Sequence, residues 1–237
     1  MKVKLISHTP NAVELLLFTK QTRLNMAPTL LDEIKYWPHE KKNAELAYMA
    51  DTIPSSWEFV DYTFIVTDVT RAYTHQQVRT RAASYAQQSM RITDMSDFKF
   101  IFPDGIPEGS FRGGIITSAV EKIKSSYQSL INMGVRPEDA RSILPTNIAT
   151  NIVCKFNLRT LSELAKSRTG GRTQDEYQRV INAMIDEVLA VHPWAEQFLF
   201  QKPRDYFNEL EAWAKQNIPD LKARGALLKI VDKMRKG

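Results

Sequence analysis

The stretch from Phe59 to Val69 constrains the fold more than any other part of this sequence. It alternates along its length and is rich in β-branched and aromatic residues, which predicts a β-strand. Further strands are predicted at Lys2 to Ile6, Asp97 to Phe102 and Thr150 to Asn157. Helical stretches separate and follow these strands, so residues 1–237 are predicted to form a single α+β domain.

Helices are predicted where apolar residues recur every three to four positions. A glycine after such a pattern, here Gly134, is typical of a helix C-terminus. The predicted helices run from Asn11 to about Arg23, Thr29 to Ala50 with a break at Pro38, Thr70 to about Arg81, Gly114 to Met133, a short helix from Pro137, Leu158 to Ser167, Gln174 to Ala190 and Arg204 to Gln216. A last helix is expected near the C-terminus, so residues from about 202 to 237 are predicted to be a helical extension.

The composition is that of a globular protein, with 43% hydrophobic and 25% charged residues among 237. No apolar run approaches the roughly 20 residues of a membrane span, and the N-terminus lacks a cleavage-site pattern, so neither a membrane segment nor a signal peptide is expected. The single Cys154 excludes an intrachain disulfide and a cysteine metal cluster, which favours a cytoplasmic setting. The four histidines lack metal-ligand spacing, so no metal is expected.

The formal net charge of +5 favours an anionic partner. The segment from Asp220 to Gly237 is rich in lysine and arginine, and a nucleic-acid-binding tail is one interpretation. Apolar residues are interleaved with these cations, so an amphipathic helix packed on the body of the protein is the favoured one. Nucleic acid is therefore not the expected partner.

The segment from His75 to Arg91 holds the candidate functional residues. It contains three arginines, two serines and four glutamines. Arginine presents rigid donors that stay charged, which suits a phosphate or a developing oxyanion, although a solvated polar helix face would have a similar composition. Arg79 and Arg81 lie two positions apart and would point to different sides of a continuous helix. Both can reach one pocket if the helix ends there.

This segment resembles the signature of the flavin-dependent thymidylate synthase family. That signature is an Arg-His-Arg, followed after two residues by Ser and then by Ser-x-Arg. The matching residues, with every spacing kept, are Arg79-Thr80-Arg81, Ser84 and Ser89-Met90-Arg91. The family's preceding Ser/Thr-Arg-Ala-x-x-His-Gln is present as Thr70 to Gln76.

Further motifs of the family follow in order across roughly residues 1 to 200. They are Ser7 to Pro10, Trp57-Glu58-Phe59, Gly134-Val135, Glu138 to Arg141, Leu144-Pro145, Asn157-Leu158-Arg159 with Leu161, and Gln174-x-Glu176. On this ordered set the chain is identified as a member of the family.

The resemblance implies a mixed sheet flanked by helices and a homotetramer whose active sites are shared between subunits. It also implies an enzyme that uses FAD, reduced by NADPH, and takes a methylene group from methylenetetrahydrofolate. The acceptor is C5 of dUMP, and the flavin's hydride completes the methyl group. No cysteine nucleophile is needed, and the lone Cys154 lies outside every motif.

The resemblance also implies roles for individual residues. The flavin-binding set is Arg79, Thr80, Arg81, Asn157, Arg159 and Glu163. The nucleotide-binding set is Gln76, Gln87, Ser89, Arg91, Gln178 and Arg141, the last from another subunit. The candidate catalytic residues are Arg79, Ser89 and Gln178. Ser89 is interpreted as a positioning donor, because no base is paired with it.

Several positions depart from the family pattern. Thr80 replaces the central histidine of the signature, Phe59 replaces a histidine that contacts flavin, and Glu163 replaces a histidine or asparagine. Gln178 stands where the family's Gln-x-Glu-x-Arg has an arginine that contacts the pyrimidine. Arg179 is one residue later, about 100° further round a helix, and is a poor substitute.

Gln178 leaves the identity of the base open. Glutamine both donates and accepts hydrogen bonds, so it can satisfy the mixed edge of cytosine, whereas a donor-only arginine matches the acceptors of uracil. Methylation of dUMP, the reaction that the resemblance implies, is still favoured, because Gln178 can also bind uracil. Methylation or hydroxymethylation of dCMP is the alternative. Two other classes are a nucleic-acid-binding module and a relative that keeps the fold but has lost flavin or catalysis.

Overall fold

A computed structural model describes residues 1–24, 27–170, 173–200 and 206–236. The chain divides into two compact units, Met1–Phe200 and Gln201–Gly237. Each unit has its own secondary structure, and the single domain expected from the sequence stays a prediction.

The first unit is built on a four-stranded sheet with the strand order β1-β2-β4-β3. The strands are β1 (Lys2–His8), β2 (Asp61–Thr70), β3 (Ala83–Gln87) and β4 (Ala149–Asn157). Every hydrogen-bonded pair of these four strands is antiparallel, so the predicted mixed sheet is wrong. β2 and β3 run parallel to each other, but β4 lies between them, and no parallel ladder can form.

The sequence predicts β1, β2 and β4, and the structure confirms these three with small shifts at their ends. It misses β3, which lies inside the arginine-rich segment. The predicted strand from Asp97 to Phe102 is wrong, because its pairing is an isolated bridge between Phe100 and Ile148. A turn in which Phe98 N donates to Met95 O at 3.2 Å keeps the preceding backbone out of a ladder.

Helices complete the first unit. They are α1 (Ala12–Gln21), α2 (Leu30–Lys35), α3 (His39–Thr52), α4 (Arg71–Gln77), α5 (Phe111–Asn132), α6 (Pro137–Ala140), α7 (Leu158–Arg168), α8 (Asp175–Val191) and α9 (Glu196–Leu199). Short 3-10 turns lie at Pro54–Phe59, Arg141–Ile143 and Pro193–Ala195. The predicted helices are confirmed except at α4, which ends at Gln77 rather than near Arg81.

α4 is shorter than predicted because the chain must leave the helix to enter β3. The Tyr85 hydroxyl of β3 lies 2.8 Å from the Gln77 carbonyl oxygen and 2.9 Å from that of Thr80. This contact fixes the turn over residues 78–81, where the arginine pair lies.

The long helix α5 is bounded by a serine and a glycine. Ser110 Oγ accepts from Gly113 N at 3.0 Å, so the helix begins before the predicted Gly114. Gly134 follows its last turn with a φ of 82° and donates to Ile131 O at 2.9 Å. The predicted C-terminal glycine is therefore confirmed, because glycine adopts the left-handed region without strain.

One face of the sheet packs against helices and forms the main core. Tyr62 and Phe64 of β2, together with Cys154 and Phe156 of β4, are fully buried on this face. Helices α1, α3, α7 and α8 supply most of the remaining core side chains. The residues that alternate with these on the strands lie on the opposite face.

The second unit contains α10 (Tyr206–Asn217) and α11 (Leu221–Lys236). Arg235 joins them through Glu211 at 3.4 Å. Arg204, the predicted start of the first of these helices, lies outside the described residues. The packing of the last helix on the body of the protein stays a prediction. Among the described helices of both units, none is both long and apolar enough to cross a membrane.

Candidate functional site

The N-terminus of α4 is anchored by a buried carboxylate. Glu176 of α8 is 8% exposed, and its two oxygens accept from Thr70 N at 2.8 Å and Thr70 Oγ1 at 2.6 Å. The Thr70 hydroxyl oxygen accepts in turn from Tyr73 N at 2.9 Å and so caps the helix. These bonds fix α4, and the residues that follow it, against α8.

A second contact joins the same two helices at the predicted nucleotide site. The Gln76 amide donates a hydrogen bond to Gln174 Oε1. Gln174 and Glu176 are the matched residues of the Gln-x-Glu motif, and each makes one of the links to α4. The motif therefore holds α4 in place in this fold.

The turn after α4 carries the predicted arginine pair. Because the helix ends at Gln77, Arg79 and Arg81 lie on irregular backbone, as the pocket interpretation requires. Both arginines are exposed, and neither forms an ion pair with a described residue. Thr80 between them is half-buried. Two free guanidinium groups on a fixed turn suit an anionic ligand.

The turn leads to a cavity of about 200 Å³ at one end of the sheet. The cavity is lined by Asp61, Ala82, Ala83, Ser84, Lys155 and Asn157. Asn157 Oδ1 accepts from Thr160 N at 2.8 Å and caps α7. The Asn157 amide nitrogen forms no hydrogen bond with a described residue and can donate to a ligand.

Arg159, in the first turn of α7, is held by two carboxylates. Its guanidinium lies 2.7 Å from Glu58 and 3.4 Å from Glu163. Glu58 belongs to the matched motif Trp57-Glu58-Phe59, and Phe59 is 57% exposed. Glu163, which replaces the family's His or Asn, thus contacts a predicted flavin-binding residue.

Three of the predicted nucleotide-binding residues come together beside α6. Arg91 forms an ion pair with Glu138 at 3.3 Å, and Arg141 Nε donates to the Glu138 carbonyl oxygen at 3.1 Å. Ser89 Oγ accepts from Arg91 N at 3.2 Å. Ser89, Arg91 and Arg141 are therefore linked through Glu138 within one chain.

Gln87 is fixed on β3 by its amide group. Its Nε2 donates to Thr74 Oγ1 at 3.0 Å and to Thr150 Oγ1 at 3.2 Å. Both amide hydrogens are used in these bonds, so the Gln87 Oε1 is the group left to accept from a ligand.

Arg71, the first residue of α4, has no role assigned from the sequence, although it lies inside a matched motif. Its Nε is buried and has no hydrogen-bond partner among the described residues. Burial, and then the charge of nearby Arg141, lower the pKa of the Arg71 guanidinium. Neither arginine forms an ion pair with a described residue, and buried cationic donors are costly when unpaired. The pair is therefore suited to an anion. The signal in the sequence was only that Arg71 lies inside a matched motif.

Arg168, at the end of α7, is a second residue without a role predicted from the sequence. Its Nε is buried and forms no hydrogen bond with the part of the chain that the structure describes. Its guanidinium lies 5.2 Å from the centroid of the Tyr177 ring. Gln178 lies at the same corner, where its Nε2 donates to the Thr169 carbonyl oxygen at 2.5 Å. An arginine is thus present close to Gln178, but no matched motif contains it.

Arg179 makes its contacts elsewhere. It forms an ion pair with Asp104 and lines a cavity of about 260 Å³ together with Thr70 and Gln174. Gln178 is not among the lining residues of that cavity. The two neighbours therefore serve different sides of α8, which supports the interpretation that Arg179 does not replace the motif arginine.

Cys154 lies on the core face of β4. Burial raises the pKa of its thiol to about 12, so the thiol stays protonated at neutral pH. The thiolate is the nucleophilic form of cysteine. Cys154 is therefore unsuited to nucleophilic catalysis.

Comparison with known proteins agrees with the motifs. Residues 4–194 match the family described as thymidylate synthase complementing protein. The flavin-dependent thymidylate synthase of Clostridium tetani is 32% identical over 211 residues, which cover 81% of this chain and 84% of that protein. The corresponding enzyme of Nitratidesulfovibrio vulgaris is 33% identical over 208 residues, with the same shares covered, 81% and 84%.

The fold has a counterpart among solved structures. It is similar to a UMP/dUMP methylase, PolB from Streptomyces cacaoi, bound with 5-Br dUMP. The TM-score is 0.69 at 19% sequence identity, over 83% of this chain and 93% of that one. This likeness concerns the fold, whereas the sequence relatives and the family match define the membership. The resemblance drawn from the motifs is thus confirmed, and the chain belongs to the flavin-dependent thymidylate synthase family.

Proposed function

We propose that the protein transfers a one-carbon unit from methylenetetrahydrofolate to C5 of dUMP and forms dTMP, with FAD as the cofactor and NADPH as the reductant. The observation that carries this proposal is the neighbouring pair of Arg71 and Arg141. Neither forms an ion pair with a described carboxylate, and the Arg71 Nε is buried without a hydrogen-bond partner among the described residues. Such a pair fits the phosphate of a nucleotide. The names of the sequence relatives supply the reaction.

The phosphate is held by arginines and a serine. Arg91, Ser89 and Arg141 are linked around Glu138, and Arg71 adds a further guanidinium. Arginine binds phosphate through two parallel hydrogen bonds, which fixes the orientation as well as the charge. Ser89 acts as a positioning donor, because none of the described hydrogen bonds pairs its hydroxyl with a base.

The base is placed near Arg168 and Gln178. Gln178 already donates one amide hydrogen to Thr169, whereas the Arg168 Nε has no hydrogen-bond partner. A guanidinium can only donate, which matches the carbonyl oxygens of uracil better than the amino edge of cytosine. Arg168 therefore favours dUMP over dCMP, and replacing it with glutamine is expected to lower kcat/KM for dUMP by about 10- to 100-fold.

The flavin is held where the turn after α4 meets the sheet. Arg79, Arg81 and Arg159 supply cations there, Asn157 supplies an amide donor, and Thr80 and Glu163 lie beside these groups. The small side chains of residues 82–84 line the cavity of about 200 Å³, which is proposed to receive part of the cofactor. When bound and reduced, the flavin supplies the hydride that completes the methyl group. Arg79 stabilises negative charge that develops nearby.

The nucleotide's remaining contacts come from α4 and β3. Gln76, held by Gln174, presents its amide beside the base, and Gln87 offers Oε1 to the sugar. Neither side chain can swing freely, because each is already hydrogen-bonded to a neighbouring element. Their role is to hold C5 in place for the transfer.

The working form is proposed to be a homotetramer in the cytoplasm, with active sites shared between subunits. The 22-residue helix α5 supports this assembly, because only Gly113 and Tyr127 are buried along it. Its exposed side includes Phe111, which is 88% exposed, and Ile115, which is 61% exposed. Apolar side chains exposed together on one helix are typical of an interface. Arg141 is proposed to act in the site of a neighbouring subunit, together with the residues that lie around it in the same chain, Ser89, Arg91 and Arg71.

The test is a complete reaction followed by mass spectrometry of the nucleotide. The protein is incubated with FAD, NADPH and methylenetetrahydrofolate, and either dUMP or dCMP is supplied. The expected result is a methyl group on dUMP that disappears when any one component is omitted. Methylation or hydroxymethylation of dCMP alone would show a changed base specificity. No product from either nucleotide would refute the enzymatic proposal.

A further inference from the structure

The cavity of about 200 Å³ at the end of the sheet contains a lysine and an aspartate that no motif includes. They are Lys155 of β4 and Asp61 of β2. Their charged groups lie 2.9 Å apart, and the side chains are 45% and 41% exposed. An ion pair this exposed contributes little to the free energy of unfolding, so the lysine can exchange its aspartate partner for a ligand anion at little cost.

The sheet places this pair on the face opposite the core. Residues directly paired across antiparallel strands share a face. Lys155 is paired with Thr63 of β2 and with Ser84 of β3, and Asp61 is paired with Asn157. Cys154 and Phe156, which flank Lys155 in β4, lie on the opposite face and are buried. Lys155 therefore lies in the middle of an open row of small and polar side chains.

The lining connects Lys155 to residues already proposed to hold the flavin. Asn157 and Ala82 line the same cavity, and Arg81 immediately precedes Ala82. Thr160 Oγ1 donates to the Ala82 carbonyl oxygen at 3.1 Å, which fixes the cavity wall to α7. The Lys155 ammonium group thus lies where the proposed cofactor would be held. That cofactor carries anionic phosphates and gains negative charge when it is reduced.

On these observations, and resting on the proposed function, we infer that Lys155 is a further flavin-binding residue whose ammonium contacts an anionic group of the cofactor. Asp61 is its counter-ion, and the Asp61 carboxylate competes with the cofactor for the ammonium group. The anionic group is either the diphosphate of FAD or the pyrimidine edge of the reduced ring. A hydrogen bond from a charged donor to a charged acceptor is stronger than one between neutral groups.

The test compares Lys155→Gln with wild type by two readouts that do not depend on turnover. FAD affinity is measured by fluorescence titration, and the midpoint potential of bound flavin by spectroelectrochemistry. The expected result is about tenfold weaker binding of FAD. If the lysine contacts the ring, the potential of the variant also falls, and tenfold weaker binding of the reduced form alone corresponds to about 30 mV. Weaker binding with an unchanged potential places the lysine at the diphosphate.

Lys99→Gln is the matched control, because Lys99 also pairs with an aspartate, Asp68 at 3.0 Å, but lies outside this cavity. It is expected to leave both readouts unchanged. Asp61→Asn removes the counter-ion and is expected to tighten FAD binding. If Lys155→Gln leaves affinity and potential at wild-type values, the inference is overturned. That outcome differs from failure of the proposed function, in which the wild-type protein itself binds no FAD.

Discussion

The arginines of the candidate site differ in whether their guanidinium groups already have partners in the protein. The Arg71 and Arg168 Nε atoms are buried without hydrogen-bond partners, whereas Arg159 is paired with two carboxylates. A buried donor without a partner costs free energy unless a ligand supplies an acceptor. Arg71 and Arg168 are therefore expected to respond to substrate more strongly than Arg159.

Replacing Arg71 with glutamine tests the phosphate site. The Arg71 guanidinium forms no ion pair with a described residue, and its Nε has no hydrogen-bond partner among them. Because the change breaks neither kind of contact, the free energy of unfolding is expected to change little. The KM for the nucleotide is expected to rise by about 10- to 100-fold, the usual value of a charged hydrogen bond. Steady-state kinetics measure it, with Arg23→Gln as the control, since Arg23 contacts Ser55 at 3.0 Å on the surface. An unchanged KM in the Arg71 variant would contradict the assignment.

His192 makes stability depend on pH. Burial, and then the charge of His8, lower the pKa of His192 to about 4 from its usual 6.5. Its Nδ1 also lies 3.0 Å from the Tyr62 hydroxyl. In the unfolded chain His192 is therefore protonated below pH 6.5, whereas in the folded protein it is protonated only below about pH 4. Stability is expected to be fully present above this window and to fall as the pH drops through it.

Urea unfolding between pH 4 and 7 measures this dependence. His192→Asn is expected to flatten the curve within the window, while His39→Asn, at an exposed position, is expected to leave it unchanged. Equal slopes for wild type and His192→Asn would show that the group does not titrate as described.

Secondary-structure elements were predictable where local pattern and tertiary role agree. The alternating stretch at β2 faces a helical layer on one side only, and the glycine after α5 does adopt a positive φ of 82°. β3 was not predictable, because its residues pair with β4, which lies more than sixty positions away in the chain. Likewise, Arg71 lies inside a matched motif and Arg168 lies in none, yet both have a buried Nε. Membership of a motif therefore does not predict this burial.

The start of α5 provides a paired test of packing at the scale of an element. A Cβ at Gly113 would lie 2.2 Å from the Pro107 carbonyl oxygen, whereas a Cβ at Gly114 would meet nothing within 4 Å. Gly113→Ala is therefore expected to destabilise the protein by about 1–3 kcal/mol. Gly114→Ala is expected to stabilise it by about 0.5–1 kcal/mol, because alanine favours the helix. Thermal unfolding of both variants gives the comparison, and equal effects would argue against this packing of the loop.

The protein is expected to function as an assembly of several chains, because α5 exposes large apolar side chains to solvent. Phe111→Glu is predicted to reduce the mass seen by light scattering from that of four chains, and to reduce activity with it. Tyr36→Glu is the control, since Tyr36 is an aromatic residue that is 87% exposed but lies at the end of α2. A wild-type protein that is active with the mass of a single chain would contradict the shared-site assembly.

The central claim is that the flavin and the nucleotide are coupled in one reaction, and one measurement tests it directly. The protein is loaded with FAD, reduced with NADPH, freed of excess reductant and mixed without oxygen with methylenetetrahydrofolate and dUMP. The visible spectrum and the nucleotide product are then followed together. The account predicts that dTMP forms in step with re-oxidation of the flavin, in equal amounts. dTMP that accumulates while the flavin stays reduced, or flavin that re-oxidises without product, would contradict it.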